Sequence, residues 1–225
     1  SVFYRGDRRD NEGFQSLSGR TANAYPRLSM DSFRTITGVA EGYYTEKRSR
    51  FISYAIPVQT ADEVKEQLDA YRKQYYDARH VCWAYMLGSD RLTFRANDDG
   101  EPSSTAGKPI LGQINSNGLT DILIIVIRYF GGIELGTSGL IVAYRTAAAD
   151  AIAQAEIIEK TVDEIVIVEF EYPYENSIMR IVKEESPTIL SRQYELDCRL
   201  TLRIRKGNAS HLKERLLKVE SARLV

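Results

Sequence analysis

D-I-L-I-I-V-I-R-Y-F-G-G, Asp121 to Gly132, decides how the rest of this chain is read. Every side chain from Ile122 to Ile127 is apolar and most are β-branched, so the segment Asp121 to Arg128 reads as a central strand covered on both faces. Arg128 follows directly, which sets its guanidinium at the carboxyl end of a buried strand, where α/β folds place their ligands. Beyond it, Gly131, Gly132, Gly136 and Gly139 let backbone approach a bound group, and a helix starting near Ser138 directs free N–H groups at an anion. The spacing matches neither a Walker loop nor G-x-G-x-x-G, so it points to a site without naming a reaction.

Upstream lies D-D-G-E-P, Asp98 to Pro102, running into S-S-T-A-G-K-P, Ser103 to Pro109. Asp98, Asp99 and Glu101 offer the closely spaced oxygens that a magnesium or calcium ion requires, so a divalent metal is possible although no cofactor is required. The same residues also read as a tight turn with carboxylates just ahead of a helix N-terminus, where the helix dipole favours negative charge. Arg128 then either pairs with one of these acids and locks two loops together, or faces an anion or a nucleotide backbone across a shared hollow. Both readings stand at the level of sequence.

Around this centre the pattern is mixed. Gly38 to Tyr44 and Ser49 to Ile56 alternate as a hairpin about the E-K-R-S turn, and Thr60 with Glu63 forms a capping box for a helix carrying Val64, Leu68, Tyr71 and Tyr75 on one face. Strands are expected at Val81 to Leu87 and Arg91 to Ala96, a helix from Pro102 to about Ile114, and an alanine-rich helix from Gly139 to Ala155 packed on the central strand. Near Glu159 the texture changes. Val162 to Tyr172, Tyr174 to Glu184, Thr188 to Tyr194, Leu196 to Arg205, a helix capped by Asn208 and a closing strand from Val219 to Val225 spell β-α-β-β-α-β, the ferredoxin-like order. Leu196, Cys198, Leu200, Leu202 and Ile204 are expected to face inward.

With 225 residues, 43% of them hydrophobic, the chain is long enough for two compact domains. The expected division is 1–29 as a disordered or non-native segment, 30–158 as the first domain and 159–225 as the second. Thirty Lys and Arg balance 31 Asp and Glu, so no global field draws the protein to nucleic acid or to an acidic membrane. Two distant cysteines, Cys82 and Cys198, fit free thiols in a reducing cytoplasm better than a disulfide framework or a zinc site. The longest apolar run falls far short of the roughly 20 residues that span a bilayer, and no signal segment opens the chain, so no membrane partner is expected.

His80 and Cys82 share one face of a strand, but neighbours on one face stand roughly 7 Å apart, too far for a thiol–imidazole nucleophile. A histidine bonded to the acidic turn is expected instead. In the second half, Arg199, Arg203, Arg205, Lys206 and Lys213, with Arg215 and Lys218, make a local basic patch of the kind a phosphate-binding sheet needs. Glu169 and Glu171 on the neighbouring strand can neutralise part of it, and no aromatic residues interleave with it to stack bases. Nothing indicates a reader of DNA sequence.

D-A-R-H (Asp77 to His80), D-D-G-E-P-S-S-T-A-G-K-P-I-L (Asp98 to Leu111) and R-Y-F-G-G-I-E-L-G (Arg128 to Gly136), with the spacing from Gly118 through Arg128 to Gly136, resemble the signature of the YigZ/IMPACT family over about Thr45 to Glu159. The resemblance implies an α+β protein: an N-terminal α/β two-layer domain similar to domain four of elongation factor G, then a ferredoxin-like domain similar to its domains three and five. It further implies contact with RNA, the ribosome or a translation-associated protein by a non-enzymatic regulator. Eukaryotic relatives bind the activator of a translation-initiation-factor kinase through an additional N-terminal module for which this chain has no room, so that partner is not expected. Carried onto this sequence, the family's cleft comprises Arg50, His80, Arg95, Asp98, Asp99, Glu101, Lys108, Arg128, Tyr129 and the glycines. Where family members often read G-G-L-V-R-A-Y this chain reads S-G-L-I-V-A-Y, and Arg145, one turn beyond Val142, is positioned to restore the missing charge. The rival readings are a metal-dependent enzyme acting on a nucleotide or phosphorylated small molecule, and a protein-interaction module whose cleft is structural.

Overall fold

The computed structural model describes residues 31–225, so the expectation about residues 1–29 lies outside it. In chain order the elements are β1 (Ser32–Ile36), β2 (Ala40–Glu46), β3 (Ser49–Pro57), α1 (Ala61–Gln74), β4 (His80–Leu87), β5 (Thr93–Asn97), α2 (Gly107–Ser116), β6 (Ile122–Tyr129), α3 (Gly136–Gln154) and β7 (Ile157–Thr161). They continue with β8 (Asp163–Phe170), α4 (Glu175–Glu185), β9 (Thr188–Tyr194), β10 (Cys198–Arg205), α5 (Lys206–Leu216) and β11 (Arg223–Leu224).

The apolar run is indeed central. β6 lies in the middle of a five-stranded antiparallel sheet ordered β2-β3-β6-β4-β5. Alternate side chains leave opposite faces of a strand. Ile122, Ile124 and Val126 pack beneath α2 and α3, while Leu123, Ile125 and Ile127 pack on Val64 and Leu68 of α1. This gives three layers rather than the expected two. Uncovering either face would expose three aliphatic side chains, each contributing about 1.5–3 kcal/mol when buried.

Helix α1 starts as its sequence demands: Thr60 Oγ1 accepts from Glu63 N at 3.2 Å, while Glu63 Oε2 accepts from Gln59 N at 2.7 Å, one residue ahead of the cap. Helix α2 begins at Gly107, not at Pro102. Residues 103–106 bend around the Asp98 carboxylate, which collects the amides that would otherwise open an earlier turn. Gly107 is required there, since a Cβ would lie 2.6 Å from Asn97 N. Helix α3 packs mainly across β2 and β3. Its alanines permit the approach: a Cβ on Gly42 would meet Ala151 N at 2.3 Å, and Ser53 Oγ donates to Ala147 O at 2.6 Å.

A second sheet of four antiparallel strands, ordered β11-β8-β10-β9, carries α4 and α5 on one face over its own core of Val168, Phe170, Leu200, Leu202, Ile178 and Leu212. Cys198, Leu200, Leu202 and Ile204 face inward as expected; Leu196 does not, being fully exposed because β10 starts only at Cys198. Helix α5 follows β10 directly at Lys206 rather than being capped by Asn208, and the closing strand is reduced to Arg223–Leu224. Between the two sheets runs a ribbon absent from the sequence reading, β1 paired antiparallel with β7 from Ser32↔Thr161 to Ile36↔Ile157. Among the described residues no helix is long and apolar enough to cross a membrane.

Candidate functional site

Pairing of β6 with β3 and β4 sets Arg128 opposite Phe51 on one side and His80 on the other. The Arg128 guanidinium lies 5.6 Å from the ring centroids of both Phe51 and Phe130. Its Nη1 donates to Glu101 Oε1 at 2.5 Å, and Tyr144 Oη of α3 donates to the same oxygen at 2.7 Å. Glu101 Oε2 stands 3.7 Å from His80 Nε2. His80 Nδ1 is 2.7 Å from the carbonyl oxygen of Asp99, and because a carbonyl only accepts, Nδ1 carries the proton. The expected histidine contact with the acidic turn is therefore present, and Nε2 is the nitrogen left toward Glu101.

The acidic turn itself is consumed internally. Asp98 Oδ1 accepts from Ala106 N at 3.1 Å and Gly107 N at 2.8 Å, and Oδ2 from Ser104 N at 2.9 Å. Asp99 Oδ2 accepts from Val81 N at 2.7 Å and Oδ1 from Arg72 at 3.3 Å. Asp98, Asp99 and Glu101 thus point at three different partner sets, and the expectation that they jointly hold a divalent ion is corrected. No group of three His, Cys, Asp or Glu among the described residues is arranged to hold a metal. Cys82 is buried, its Sγ donating to Asp98 O at 3.0 Å, and burial pushes its thiol well above the ordinary range, which removes it as a nucleophile.

Two hollows open at this end of the sheet. One, of about 410 Å³, is lined by Arg79, His80, Glu101, Pro102, Arg128, Phe130, Glu134, Leu135, Gly136, Thr137 and Leu140. The other, of about 560 Å³, is lined by Arg48, Arg50, Asp77, Ala78, Arg79, Tyr129 and Phe130, so Arg79 and Phe130 belong to both. Arg50 lies 4.8 Å over the Tyr129 ring, and Tyr129 Oη donates to Asp77 Oδ1 at 2.8 Å. Burial, then that bond to Asp77, pushes the Tyr129 phenol up to about 12. The hairpin turn places both Lys47 and Arg48 at positive φ, 45° and 65°. Gly131 lies flat against this turn, where a Cβ would approach Arg48 C to 2.2 Å.

Of the residues expected in the cleft, His80, Glu101, Arg128 and Gly136 line the first hollow, and Arg50 and Tyr129 line the second. Asp98 and Asp99 brace the turn behind them. Arg95 on β5, Lys108 on α2, and Arg145 and Gly139 on α3 line neither, nor does Gly132; Val142 and Arg145 both lie exposed on α3. Arg48, Arg79, Phe130 and Thr137 were missed, although Arg79 stands inside D-A-R-H and Phe130 inside R-Y-F-G-G.

The basic patch of the second sheet is tied up in ion pairs. Arg199 contacts Glu169, Arg203 lies 3.8 Å from Asp163, Arg205 lies 2.6 Å from Asp31, and Lys213 contacts Glu164. Lys206 alone of the five has no acidic partner among the described residues. At the two hollows the balance is reversed: Arg48, Arg50 and Arg79 are exposed and none is ion-paired among the described residues.

The Impact N-terminal domain model matches residues 47–152. IMPACT family member YvyE of Bacillus subtilis (strain 168) is 34% identical over 155 residues, 69% of this chain and 71% of the relative. An IMPACT family member of Haemophilus influenzae is 31% identical over 181 residues, 80% of this chain and 88% of the relative. A solved structure described as the crystal structure of an hypothetical protein superposes with a TM-score of 0.63 at 28% identity, covering 88% of this chain and 98% of that one. Protein IMPACT of Rattus norvegicus is 30% identical over 95 residues, 41% of this chain and 30% of the relative. The chain belongs to the IMPACT family.

Proposed function

We propose that this IMPACT family member is a cytoplasmic, translation-associated regulator that acts by binding, and that its principal contact is with RNA or the ribosome through the groove around Tyr129 and Phe130. One observation carries this reading: Arg48, Arg50 and Arg79 converge, without carboxylate partners among the described residues, on two half-open aromatic rings, in a molecule whose other arginine cluster is largely neutralised. Unpaired guanidinium groups bind phosphate and release counterions, and aromatic faces accept bases regardless of sequence. The sheet order β11-β8-β10-β9 supports reading residues 159–225 as a ferredoxin-like domain. With the first domain read as similar to domain four of elongation factor G, both halves then have counterparts in a ribosome-binding factor.

The reading keeps the first domain's cleft as the principal site and gives little weight to the basic face of the second sheet, expected as an auxiliary contact, because its arginines face carboxylates. Catalysis assisted by a metal at Asp98, Asp99 and Glu101 is disfavoured because backbone amides, Arg72, Arg128 and Tyr144 already occupy those oxygens. Co-sedimentation with ribosomes and electrophoretic mobility of single-stranded RNA across a salt series test the proposal. Binding that weakens steeply with salt is expected, and absence of binding at low salt overturns it.

A further inference from the structure

We propose that the hollow between the Arg128–Glu101 pair and the start of α3 is a seat for a phosphomonoester, either a free nucleoside monophosphate or the phosphorylated end of a single-stranded nucleic acid. Only the second source rests on the function proposed above.

Four features converge there. The 19-residue helix α3 has no side-chain cap among the described residues, and its first-turn residues Gly136 and Thr137 line the hollow, so the positive end of its dipole borders it. Arg128 lines the same hollow with its side chain only 6% exposed, and its Nε–H has no acceptor among the described residues. A buried guanidinium lacking one of its partners is costly unless something supplies an acceptor. Arg79 is exposed at the mouth and carries no ion pair among the described residues. His80, its Nδ1–H held by Asp99 O, also lines the hollow, with Nε2 3.7 Å from Glu101 Oε2 as a further polar edge beside it.

Phe130 and Leu140 add apolar surface to the lining, and the volume of about 410 Å³ lies within the range of pockets that enclose small ligands. A lining that combines basic, aromatic and aliphatic side chains suits a phosphate joined to a ring system better than a bare inorganic ion. Two acids also line the space. Glu101 is already paired with Arg128 and hydrogen-bonded by Tyr144, whereas exposed Glu134 has no cationic partner among the described residues. Glu134 therefore sets a limit on charge, and a monoester is favoured over a di- or triphosphate.

Calorimetry on the full chain with adenosine monophosphate, adenosine and inorganic phosphate is the first arm, and fluorescence anisotropy with one RNA decamer carrying a 5′-phosphate or a 5′-hydroxyl is the second. Thr137→Glu and Arg79→Ala are the probes; Thr137 is exposed at a helix start, a position that tolerates acids, so Thr137→Glu keeps the fold while repelling the phosphate. Adenosine monophosphate is expected to bind at least tenfold tighter than adenosine, with both variants losing tenfold or more. A free nucleotide is the source if this preference appears without a 5′-phosphate advantage in the decamer; a strand end is the source if the decamer shows it as well. Equal binding of nucleotide and nucleoside, with no 5′-phosphate advantage and no effect of Thr137→Glu, overturns the proposal even if the RNA binds. Nucleotide binding without any RNA or ribosome binding leaves the seat standing and sinks the function proposed above.

Discussion

Arg128 Nη1 and Glu101 Oε1 lie 2.5 Å apart, with side chains 6% and 3% exposed, and this contact ties the end of the central strand β6 to the acidic turn before α2. A buried pair of this kind adds little net stability over apolar replacements, yet breaking it leaves a buried charge unanswered. Glu101→Ala is expected to destabilise the protein by about 3–5 kcal/mol in urea unfolding. The double variant Glu101→Leu/Arg128→Met should recover much of that loss. Additive losses in the double variant would show that the two side chains do not act as a pair.

Asp98 answers three backbone amides of the bend and the first turn of α2. Its removal in Asp98→Ala is expected to cost about 2–3 kcal/mol, since hydrogen bonds to a charged acceptor are the stronger kind and the orphaned amides lie in a partly buried turn. Chelators should leave the melting temperature of the wild-type protein unchanged, because the same carboxylates are engaged with the chain itself. A chelator-induced drop of several degrees would restore the metal reading.

Binding of single-stranded RNA should respond to Arg48→Ala, Arg50→Ala and Arg79→Ala one at a time, each lowering the slope of log affinity against log salt by about 1. Arg199→Ala and Arg203→Ala should leave that slope nearly unchanged, since those guanidinium groups already face Glu169 and Asp163. The opposite ranking would place the main interface on the second sheet instead.

Acid should weaken the second sheet through its ion pairs. Hydrogen bonds from Arg199 and then Arg223 hold the Glu169 carboxyl below its ordinary value, and Arg215 does the same for Glu184 and Glu185. A carboxylate with a lowered folded value stabilises the protein above the unfolded value, and that contribution disappears as pH falls through the folded one. The urea midpoint followed by circular dichroism is therefore expected to fall between about pH 5 and about pH 2. Arg199→Ala/Arg223→Ala should flatten the dependence.

Cys82 and Cys198 are both buried, and burial raises both thiols. Ellman's reagent at mildly alkaline pH should find almost no reactive thiol in the native protein and two after unfolding. Prompt reaction of either one would show that its surroundings open readily.

Where one strong local signal dominated, the sequence was easy to read. Six consecutive apolar residues mark β6 as central, T-x-x-E marks the start of α1, and strict alternation marks β10. The start of α2 was misplaced because Asp98, eight and nine residues upstream, takes the amides of Ala106 and Gly107, and no window over the helix itself contains that acceptor. The β1–β7 ribbon was invisible for a related reason: each strand is short and its partner lies more than a hundred residues away. At the site, R-Y-F-G-G located Arg128 correctly. Which acids it meets, and that Arg79 rather than Arg95 or Lys108 joins it, depends on the register of β4 against β6.

That β1–β7 ribbon has a mechanical consequence. Chain enters and leaves the five-stranded layer through the same five rungs, with Ser32 and Thr161 at the outer end. Tension applied at those two residues would peel the rungs apart in sequence, like a zipper, until it reaches Arg34 and Thr35, which are also bonded to residues 117–121 just ahead of β6. Past that point the pull is passed to the strand that carries Arg128, so the ribbon is a fuse for only its outermost rungs.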